Sequence, residues 1–299
     1  MSETKDIIMF SADQMQEFLM SFDIVMSDID GVIWDLNKPV KGAPESLEKL
    51  QNLGKQVYLI TNNTTKTVEK YCNDMRHAGF NTTTDNIINP TKAIIWNLKK
   101  VNFRGEAFAI VSDVARQYLT EAGIQLVEQP KVINTDIIAT LKQVLDRPSV
   151  KAVIVDFSAN CNWSMLALAI SCLKRKDVLY LTGATDRWLL IQSSPLIKIL
   201  GPGPLMDLIS TMSERKPSEC GKPSQNLNNF LVEKCNVTNP QRCLFIGDTA
   251  NQDMKFATLC GFKKLLVGSG FSTLEQAQKE DDTFPDYYLP SLGHLFSSL

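Results

Sequence analysis

The sequence predicts an α/β fold in which a parallel sheet is interrupted by a second, inserted α/β domain. Short runs rich in β-branched and aromatic residues alternate with longer segments of helical periodicity, the pattern of repeated strand and helix units. This alternation occurs in two series, and the last strands of the chain resume the pattern of the first ones. With 299 residues, of which 44% are hydrophobic, the chain is long enough for two domains.

The elements of the first domain follow from local signals. Ser11, with Gln14 three residues later, predicts the capped start of a helix. A proline in the first turn and a glycine just beyond the last turn bound a second helix at 44–53. The further elements predicted here are a strand at 23–26, a strand at 56–60 that ends in Thr61, a helix that closes at Gly79, and strands at 243–248 and 263–268.

The inserted domain has its own series of strands and helices between residues 86 and 210. Its predicted elements are strands at 107–111, 151–157 and 178–182 and a helix at 163–173. The predicted division is therefore a discontinuous core, 1–85 plus 211–299, around an α/β cap domain at 86–210.

Charge and composition exclude several classes of partner. The formal charge of −2 comes from 31 basic and 33 acidic residues that are interspersed, so no basic block is available for nucleic acid or anionic lipid. The first residues have neither a basic nor an apolar leader region, which predicts a cytoplasmic protein. The seven cysteines are scattered without a CxxC pair, as expected of reduced thiols.

Four short polar segments follow predicted strands or precede helices. In a parallel sheet such positions meet at the carboxyl edge, where ligands bind. Carboxylates, a hydroxyl, amides and one cation are the groups that they contribute. The segments are Asp28-Ile29-Asp30-Gly31, Thr61-Asn62-Asn63, Gly221-Lys222-Pro223-Ser224, and Gly247-Asp248 with Asp253 five residues later.

Together these segments have the composition of a phosphate site that needs a metal. A phosphate dianion beside Asp28 and Asp248 would be repelled, by on the order of 4 kcal/mol per unit-charge pair at ~4 Å. Lys222 and a divalent cation reverse that sign, and Mg²⁺ suits a few carboxylates plus a substrate oxygen. Each segment alone also has a purely structural explanation, as a turn or a helix cap. Four of them in this order are hard to explain that way.

The motifs resemble those of the haloacid dehalogenase-like (HAD) superfamily, whose phosphatases carry DxDG, a strand-end Ser or Thr, a Lys and a GDxxxxD element in this order. GVIW after Asp30, TNNTTKT, GKPS and the tail GSGFSTLEQAQ are similar to the branch that contains 4-nitrophenylphosphatase, phosphoglycolate phosphatase and pyridoxal phosphate phosphatase. The resemblance implies a Rossmann-like core with a large inserted α/β cap, and a homodimer formed through the cap.

The resemblance also implies a role for each motif residue in a Mg²⁺-dependent phosphatase that acts on small phosphate monoesters through a phosphoaspartyl intermediate. Asp28 is the nucleophile and Asp30 the general acid and base. Thr61, Asn62, Asn63 and Lys222 bind the phosphate; Asp28 and Asp248 bind the metal through their side chains, Asp30 through its backbone carbonyl, and Asp253 supports the metal shell.

Two departures from the family pattern bear on function. The last motif is usually close to GDRLDTD, and here Asn251 and Gln252 remove a charge and a hydroxyl near the metal. The segment Ala184-Thr185-Asp186-Arg187 resembles the start of the family's substrate-specificity loop, but the apolar residues 188–191 follow it. That run either contacts substrate or packs in the cap or a dimer, and it weakens the pyridoxal interpretation.

These departures motivate an alternative: a catalytically weak relative that binds a phosphorylated metabolite or a partner protein. A phosphoacceptor signalling domain also uses acidic residues, a Thr and a Lys, but it lacks the second Asp of DxD and the inserted domain. A dehalogenase would have no task for Asp30 or for the phosphate-binding set.

Overall fold

The computed structural model describes residues 3–35, 38–130, 137–191 and 197–296. The chain forms two compact units. The first comprises Met1–Thr61, Thr67–Ile88 and Lys222–Leu299, and the second comprises Asn62–Lys66 and Asn89–Gly221.

Strands and helices alternate along most of the chain. The strands are β1 (Lys5–Asp6), β2 (Ile24–Ser27), β3 (Trp34–Asp35), β4 (Lys38–Pro39), β5 (Gln56–Ile60), β6 (Ile87–Ile88), β7 (Glu106–Ile110), β8 (Gln125–Leu126), β9 (Val150–Val155), β10 (Leu179–Thr182), β11 (Trp188–Ile191), β12 (Ile197–Leu200), β13 (Ser218–Glu219), β14 (Cys243–Gly247), β15 (Lys263–Val267) and β16 (Tyr287–Leu289). The α-helices are α1 (Ala12–Met20), α2 (Ala43–Asn52), α3 (Val68–His77), α4 (Pro90–Lys100), α5 (Asp113–Glu121), α6 (Ile137–Gln143), α7 (Trp163–Leu173), α8 (Gly203–Ser213), α9 (Gln225–Lys234), α10 (Lys255–Cys260) and α11 (Leu274–Ala277).

The first unit is built on a seven-stranded sheet with the order β1-β16-β15-β14-β2-β5-β6, in which every pair is parallel. The apolar strand β2 lies in the middle of this sheet and is buried along its whole length. Because β14, β2 and β5 are parallel neighbours, the residues that follow them emerge at one edge of the sheet. Asp248, Asp28 and Thr61 are those residues.

The helix signals read from the sequence are confirmed. The hydroxyl of Ser11 accepts a hydrogen bond from the Gln14 amide, and the Gln14 side chain accepts one from the Ser11 amide, so both halves of the capping box form. Helix α2 begins at Ala43 and has proline in its first turn, where no backbone donor is needed. The other predicted strands and helices of this unit are present, with ends that differ by one or two residues because terminal turns fray.

The second unit has a five-stranded parallel sheet with the order β13-β10-β9-β7-β8. Its core is apolar: Phe108, Val153, Leu168 and Tyr180 are among the buried residues of one cluster. Strands β11 and β12 form a separate antiparallel pair, which contains the apolar run that follows Arg187. The predicted strands and the helix at 163–173 are all observed.

The cysteines and the helices bear on two further expectations. Among the described residues no disulfide links any of the seven cysteines, and six of them are buried, as expected of thiols packed as small apolar residues. Within the described ranges, no helix combines the length and the apolar character needed to cross a lipid bilayer.

Candidate active site

Asp28 is held at the carboxyl end of the central strand of the first unit. Its amide continues the sheet by donating to the Ile246 carbonyl oxygen at 2.8 Å. The residue is only 7% exposed, and its Oδ1 accepts from the Ile29 amide at 2.8 Å and lies 2.9 Å from Lys222 Nζ. Burial raises the pKa of Asp28 to about 8; Lys222 opposes this shift, while Asp253 and Asp30 add to it.

The turn after Asp28 requires a glycine for two reasons. Gly31 has φ +85°, a left-handed conformation that residues with a Cβ rarely adopt. A Cβ at Gly31 would also lie 2.3 Å from Asp248 Oδ2. The turn leaves Asp30 exposed, and its Oδ2 accepts from the Thr61 hydroxyl at 3.5 Å. Asp30 is therefore close to Thr61 and accessible to solvent.

Lys222 is buried between two carboxylates. Its side chain is 1% exposed, and Nζ lies 2.9 Å from Asp28 Oδ1 and 2.7 Å from Asp253 Oδ1. Nζ also lies over the Phe245 ring, 5.6 Å from its centroid. Burial lowers the pKa of Lys222, but Asp253 and Asp28 more than compensate, so the net shift is upward and the ammonium stays charged. A solvated turn is thus excluded as the explanation of GKPS.

Asp253 has hydrogen-bond partners for both oxygens. While Oδ1 contacts Lys222, Oδ2 accepts from the Asp248 amide at 3.1 Å, the Thr249 amide at 3.0 Å and the Thr249 hydroxyl at 2.7 Å. Asp253 therefore fixes the backbone on which Asp248 is mounted, as well as the position of Lys222.

Asp248 is fully buried, and its two oxygens have different environments. Oδ2 accepts from the Phe271 amide at 3.0 Å, whereas Oδ1 is buried with no hydrogen-bond partner among the residues that the structure describes. Gly270 allows the close approach, because a Cβ there would lie 1.8 Å from Asp248 Oδ2. A buried carboxylate oxygen without a hydrogen-bond partner is costly, so Oδ1 has room for a ligand that the described part of the chain does not supply.

These residues fit a hard divalent cation. Asp28, Asp248 and Asp253 place carboxylate oxygens within 4.8 Å of one another. When all are ionised, these three carboxylates and the ammonium of Lys222 have a net charge of −2. The pKa of Asp248 is raised well above its usual range by burial and by the nearby Asp253 and Asp28. A cation of charge two, with its preference for carboxylate oxygens, matches both the deficit and the orphaned Oδ1.

The predicted site residues divide between the two units. Asp28, Asp30, Thr61, Lys222, Asp248 and Asp253 all belong to the first. Asn62 and Asn63 belong to the second, where Asn62 Nδ2 donates to Asp186 Oδ2 at 3.3 Å. Asn63 Oδ1 accepts from the amide and hydroxyl of Thr65 at 2.9 and 2.8 Å.

The structure adds residues that sequence reasoning missed. Gly270 and Phe271 contact Asp248, although the sequence of their GSGF segment shows only a family resemblance and no site role. Tyr71, on α3, is 2% exposed; burial and the nearby Asp30 raise its pKa well above the usual range, and a hydrogen bond with Thr61 opposes that shift. An aromatic residue at helical spacing signals only a core position, so the sequence could not have identified Tyr71.

The parallel sheet and the buried carboxylates at its edge define a class: α/β enzymes whose chemistry depends on strand-end aspartates. Two family models match the chain. Residues 25–125 match haloacid dehalogenase-like hydrolase, and residues 219–295 match HAD-hydrolase-like. The chain belongs to the haloacid dehalogenase-like hydrolases, which confirms the predicted superfamily.

Relatives with assigned names cover nearly the whole chain. Mouse glycerol-3-phosphate phosphatase is 27% identical over 98% of this chain and 95% of its own length. The chloroplastic phosphoglycolate phosphatase 1A of Arabidopsis thaliana is 26% identical over 96% of this chain and 79% of its own length. Similarity to enzymes named as phosphatases supports the predicted class, a phosphoric monoester hydrolase of the HAD type.

Solved structures have the same fold. A 4-nitrophenylphosphatase from Thermotoga maritima superposes with a TM-score of 0.76 at 20% identity, over 93% of this chain and 97% of its own. A glycerol phosphate phosphatase from Mycobacterium tuberculosis, solved in complex with magnesium, has a TM-score of 0.75 at 20% identity, over 98% of this chain and 78% of its own. The predicted fold class, a Rossmann-like parallel-sheet core with a large inserted α/β domain, is confirmed.

Proposed function

We propose that this protein is a Mg²⁺-dependent phosphatase that hydrolyses small phosphate monoesters through a phosphoaspartyl intermediate on Asp28. One observation carries the proposal: Lys222 is buried between Asp28 and Asp253, and Asp248 of the same carboxylate cluster has an oxygen with no hydrogen-bond partner in the described ranges. A buried arrangement so short of positive charge is costly unless it serves chemistry.

Each residue has a defined task in the proposed reaction. Asp28 attacks phosphorus, forming an acyl phosphate as the ester P–O bond breaks, and Asp30 gives its proton to the leaving alkoxide. Asp30 then takes a proton from the water that attacks the acyl phosphate, which releases inorganic phosphate and restores Asp28. Lys222, Thr61 and the segment with Asn62 and Asn63 neutralise and hold the phosphate oxygens.

The metal belongs to the proposal because the residues fit it. The carboxylates of Asp28 and Asp248 and the backbone carbonyl of Asp30 would hold Mg²⁺, with Asp253 in support. When bound, Mg²⁺ supplies positive charge for the phosphate and for the ionised carboxylates. Asp28 then remains ionised and can act as a nucleophile at neutral pH, although its pKa in the metal-free site is about 8.

The substrate class and the assembly are also parts of the proposal. Phosphoglycolate-like, glycerol phosphate-like or 4-nitrophenyl phosphate-like esters are the expected substrates, given the names of the relatives.

A cytoplasmic homodimer formed through the second unit is expected from the sequence. Trp188, Ile197 and Leu200, on the β11–β12 hairpin, are 57%, 47% and 53% exposed, and such apolar exposure favours an interface. Light scattering on the purified protein tests the dimer.

Phosphate release from 4-nitrophenyl phosphate tests the function, with and without Mg²⁺ and beside Asp28→Asn. We expect the substitution and a chelator each to abolish turnover, after which phosphoglycolate, glycerol 3-phosphate, pyridoxal phosphate and sugar phosphates rank the substrates. Circular dichroism tests whether the variant is folded.

The altered last motif, with Asn251 and Gln252, favours a second candidate, a catalytically weak protein that binds a phosphorylated metabolite or partner. A folded wild type without turnover would select it.

A further inference from the structure

The segment 62–66 of the second unit is held at the ends of three parallel strands. Ser112, two residues after β7, donates from its hydroxyl to the Thr64 carbonyl oxygen at 2.6 Å. Asp156, directly after β9, accepts from the Thr64 hydroxyl at 2.9 Å. Asp186, beyond β10, accepts from Asn62 Nδ2 at 3.3 Å. Both the side chain and the backbone of Thr64 are thereby fixed.

Asp156 is the most buried acid of this arrangement. It is 1% exposed, and its second oxygen, Oδ1, accepts from the Phe157 amide at 2.8 Å. Gly183 packs against the carboxyl group so closely that a Cβ there would lie 2.2 Å from Oδ2. Burial raises the pKa of Asp156 to about 7, against the hydrogen bonds from Phe157, Thr64 and Ala184, which lower it.

Nothing in the proposed reaction uses Asp156. It is not part of a metal cluster, because within the described part of the chain the group of three ligating side chains is the one at Asp28. A buried carboxyl is costly unless it is hydrogen-bonded, and both oxygens of Asp156 accept hydrogen bonds. What Asp156 holds is Thr64, two residues after Asn62 and one after Asn63.

We propose that Asp156 is a positioning residue: through Thr64 it fixes the conformation of the segment that presents Asn62 and Asn63 to the phosphate. The inference rests on the proposed function, in which those two residues bind the phosphate. A segment that is ordered before binding loses less conformational entropy when the substrate arrives. Loosening the Thr64–Asp156 contact therefore weakens ground-state binding more than it slows the chemical step.

Thr64→Val is the test, because valine keeps the shape of threonine and removes the donor. Thr182→Val is the matched control: Thr182 is a fully buried threonine of the same unit whose hydroxyl has no hydrogen-bond partner among the described residues, so the same change breaks no observed hydrogen bond. Thr64→Ser, which keeps the hydroxyl, is the rescue. We expect Thr64→Val to raise KM for 4-nitrophenyl phosphate roughly tenfold with kcat changed less than about threefold, and the other two variants to stay near the wild type.

Two readouts separate this inference from the proposed function. Hydrogen exchange of a peptide spanning 61–67 should become faster in Thr64→Val and not in Thr182→Val. The Kd for inorganic phosphate with Mg²⁺ should rise in parallel with KM, and it can be measured even if turnover is absent. Wild-type phosphate binding without hydrolysis would overturn the proposed function, and the order of the Kd values would still decide the role of Asp156.

The inference is overturned if Thr64→Val loosens the segment while KM and the phosphate Kd remain unchanged, since Asp156 would then be purely structural. It is also overturned if Thr182→Val matches Thr64→Val in KM, because the effect would then come from the volume of the unit's core. Should Thr64→Val fail to fold, Thr64→Ser and Thr64→Ala provide the same comparison, because serine keeps the hydroxyl and alanine removes it. A rise in KM for Thr64→Ala alone, at constant kcat, supports the role of Asp156. An unchanged KM in Thr64→Ala contradicts it.

Discussion

The two units both place a buried aspartate at the end of a strand in a parallel sheet, and the two aspartates have opposite environments. Asp248, after β14, has acidic neighbours and a buried Oδ1 that lacks a hydrogen-bond partner among the described residues. Asp156, after β9, receives hydrogen bonds at both oxygens and holds Thr64. A strand end therefore does not by itself make a ligand site; Asp248 differs from Asp156 in its unsatisfied oxygen and its acidic neighbours.

Charge explains the same difference. Around Asp248, the carboxylates of Asp28 and Asp253 share the single cation of Lys222, so the site favours an added divalent ion. Asp156 accepts hydrogen bonds from neutral donors, and no cation in the described part of the chain lowers its pKa, which burial and, to a smaller extent, the nearby Asp186 raise to about 7. The four predictions that follow test this contrast.

Asp248→Asn should have the largest effect. It removes one charge from the metal ligands, and we expect hydrolysis to fall by on the order of 10³-fold, because metal-bound charge stabilisation is worth several kcal/mol. The Mg²⁺-induced rise in Tm should disappear in this variant and persist in Asp156→Asn, the same change at the other strand end. Equal Mg²⁺ responses in both variants would mean that Asp248 is not a ligand.

Gly270→Ala and Gly183→Ala place the same methyl group against these two aspartates. The new Cβ would lie 1.8 Å from Asp248 Oδ2 in the first and 2.2 Å from Asp156 Oδ2 in the second. Both variants should lose about 1–3 kcal/mol of unfolding free energy through overpacking. Only Gly270→Ala should lose the Mg²⁺-induced rise in Tm. A Mg²⁺ response that survives in Gly270→Ala would contradict the assigned metal position.

The contribution of Asp156 to the free energy of unfolding should depend on pH in a predictable direction. Its pKa rises from an ordinary 3.8 to about 7 on folding, so between these values only the folded protein retains the proton. The free energy of unfolding therefore contains a contribution that decreases as pH rises toward 7, by about 2–3 kcal/mol between pH 5 and pH 7.

Urea unfolding at these two pH values measures that contribution when the wild type is compared with Asp156→Asn. The amide does not titrate, so the variant should gain on the wild type by this amount as pH rises. A constant difference between the two proteins would show that Asp156 is already ionised at pH 5.

Asn251→Asp should have the smallest effect. It restores the carboxylate usual in the family's last motif, but residue 251 is exposed and solvent screens its charge. We expect the Mg²⁺ concentration for half-maximal activity to fall roughly two- to fivefold, in line with less than about 1 kcal/mol for an exposed charge. Asn239→Asp, at an exposed position elsewhere in the same unit, is the control. Identical shifts would reveal a general charge effect.

Local signals predicted the elements of the fold because each depends on neighbours in sequence. The Ser11–Gln14 capping box joins residues three positions apart, and a helix was predicted near the observed Trp163–Leu173. The motif residues Asp28 and Asp248 were likewise identifiable because each directly follows a strand, and Lys222 because it lies in the turn just before helix α9. Order along the chain was enough to predict that they meet at one sheet edge.

The sequence by itself determined the fold class, the superfamily and the acidic residues at the strand ends, because hydrophobic period, caps and motif spacing are local properties. Only the tertiary structure decided that Asp253 has partners at both oxygens while Asp248 Oδ1 has none, and that residues 62–66 are held by Asp156. Thr64 and Asp156 are 92 positions apart. Burial and hydrogen-bond satisfaction depend on such distant contacts, which no local pattern specifies.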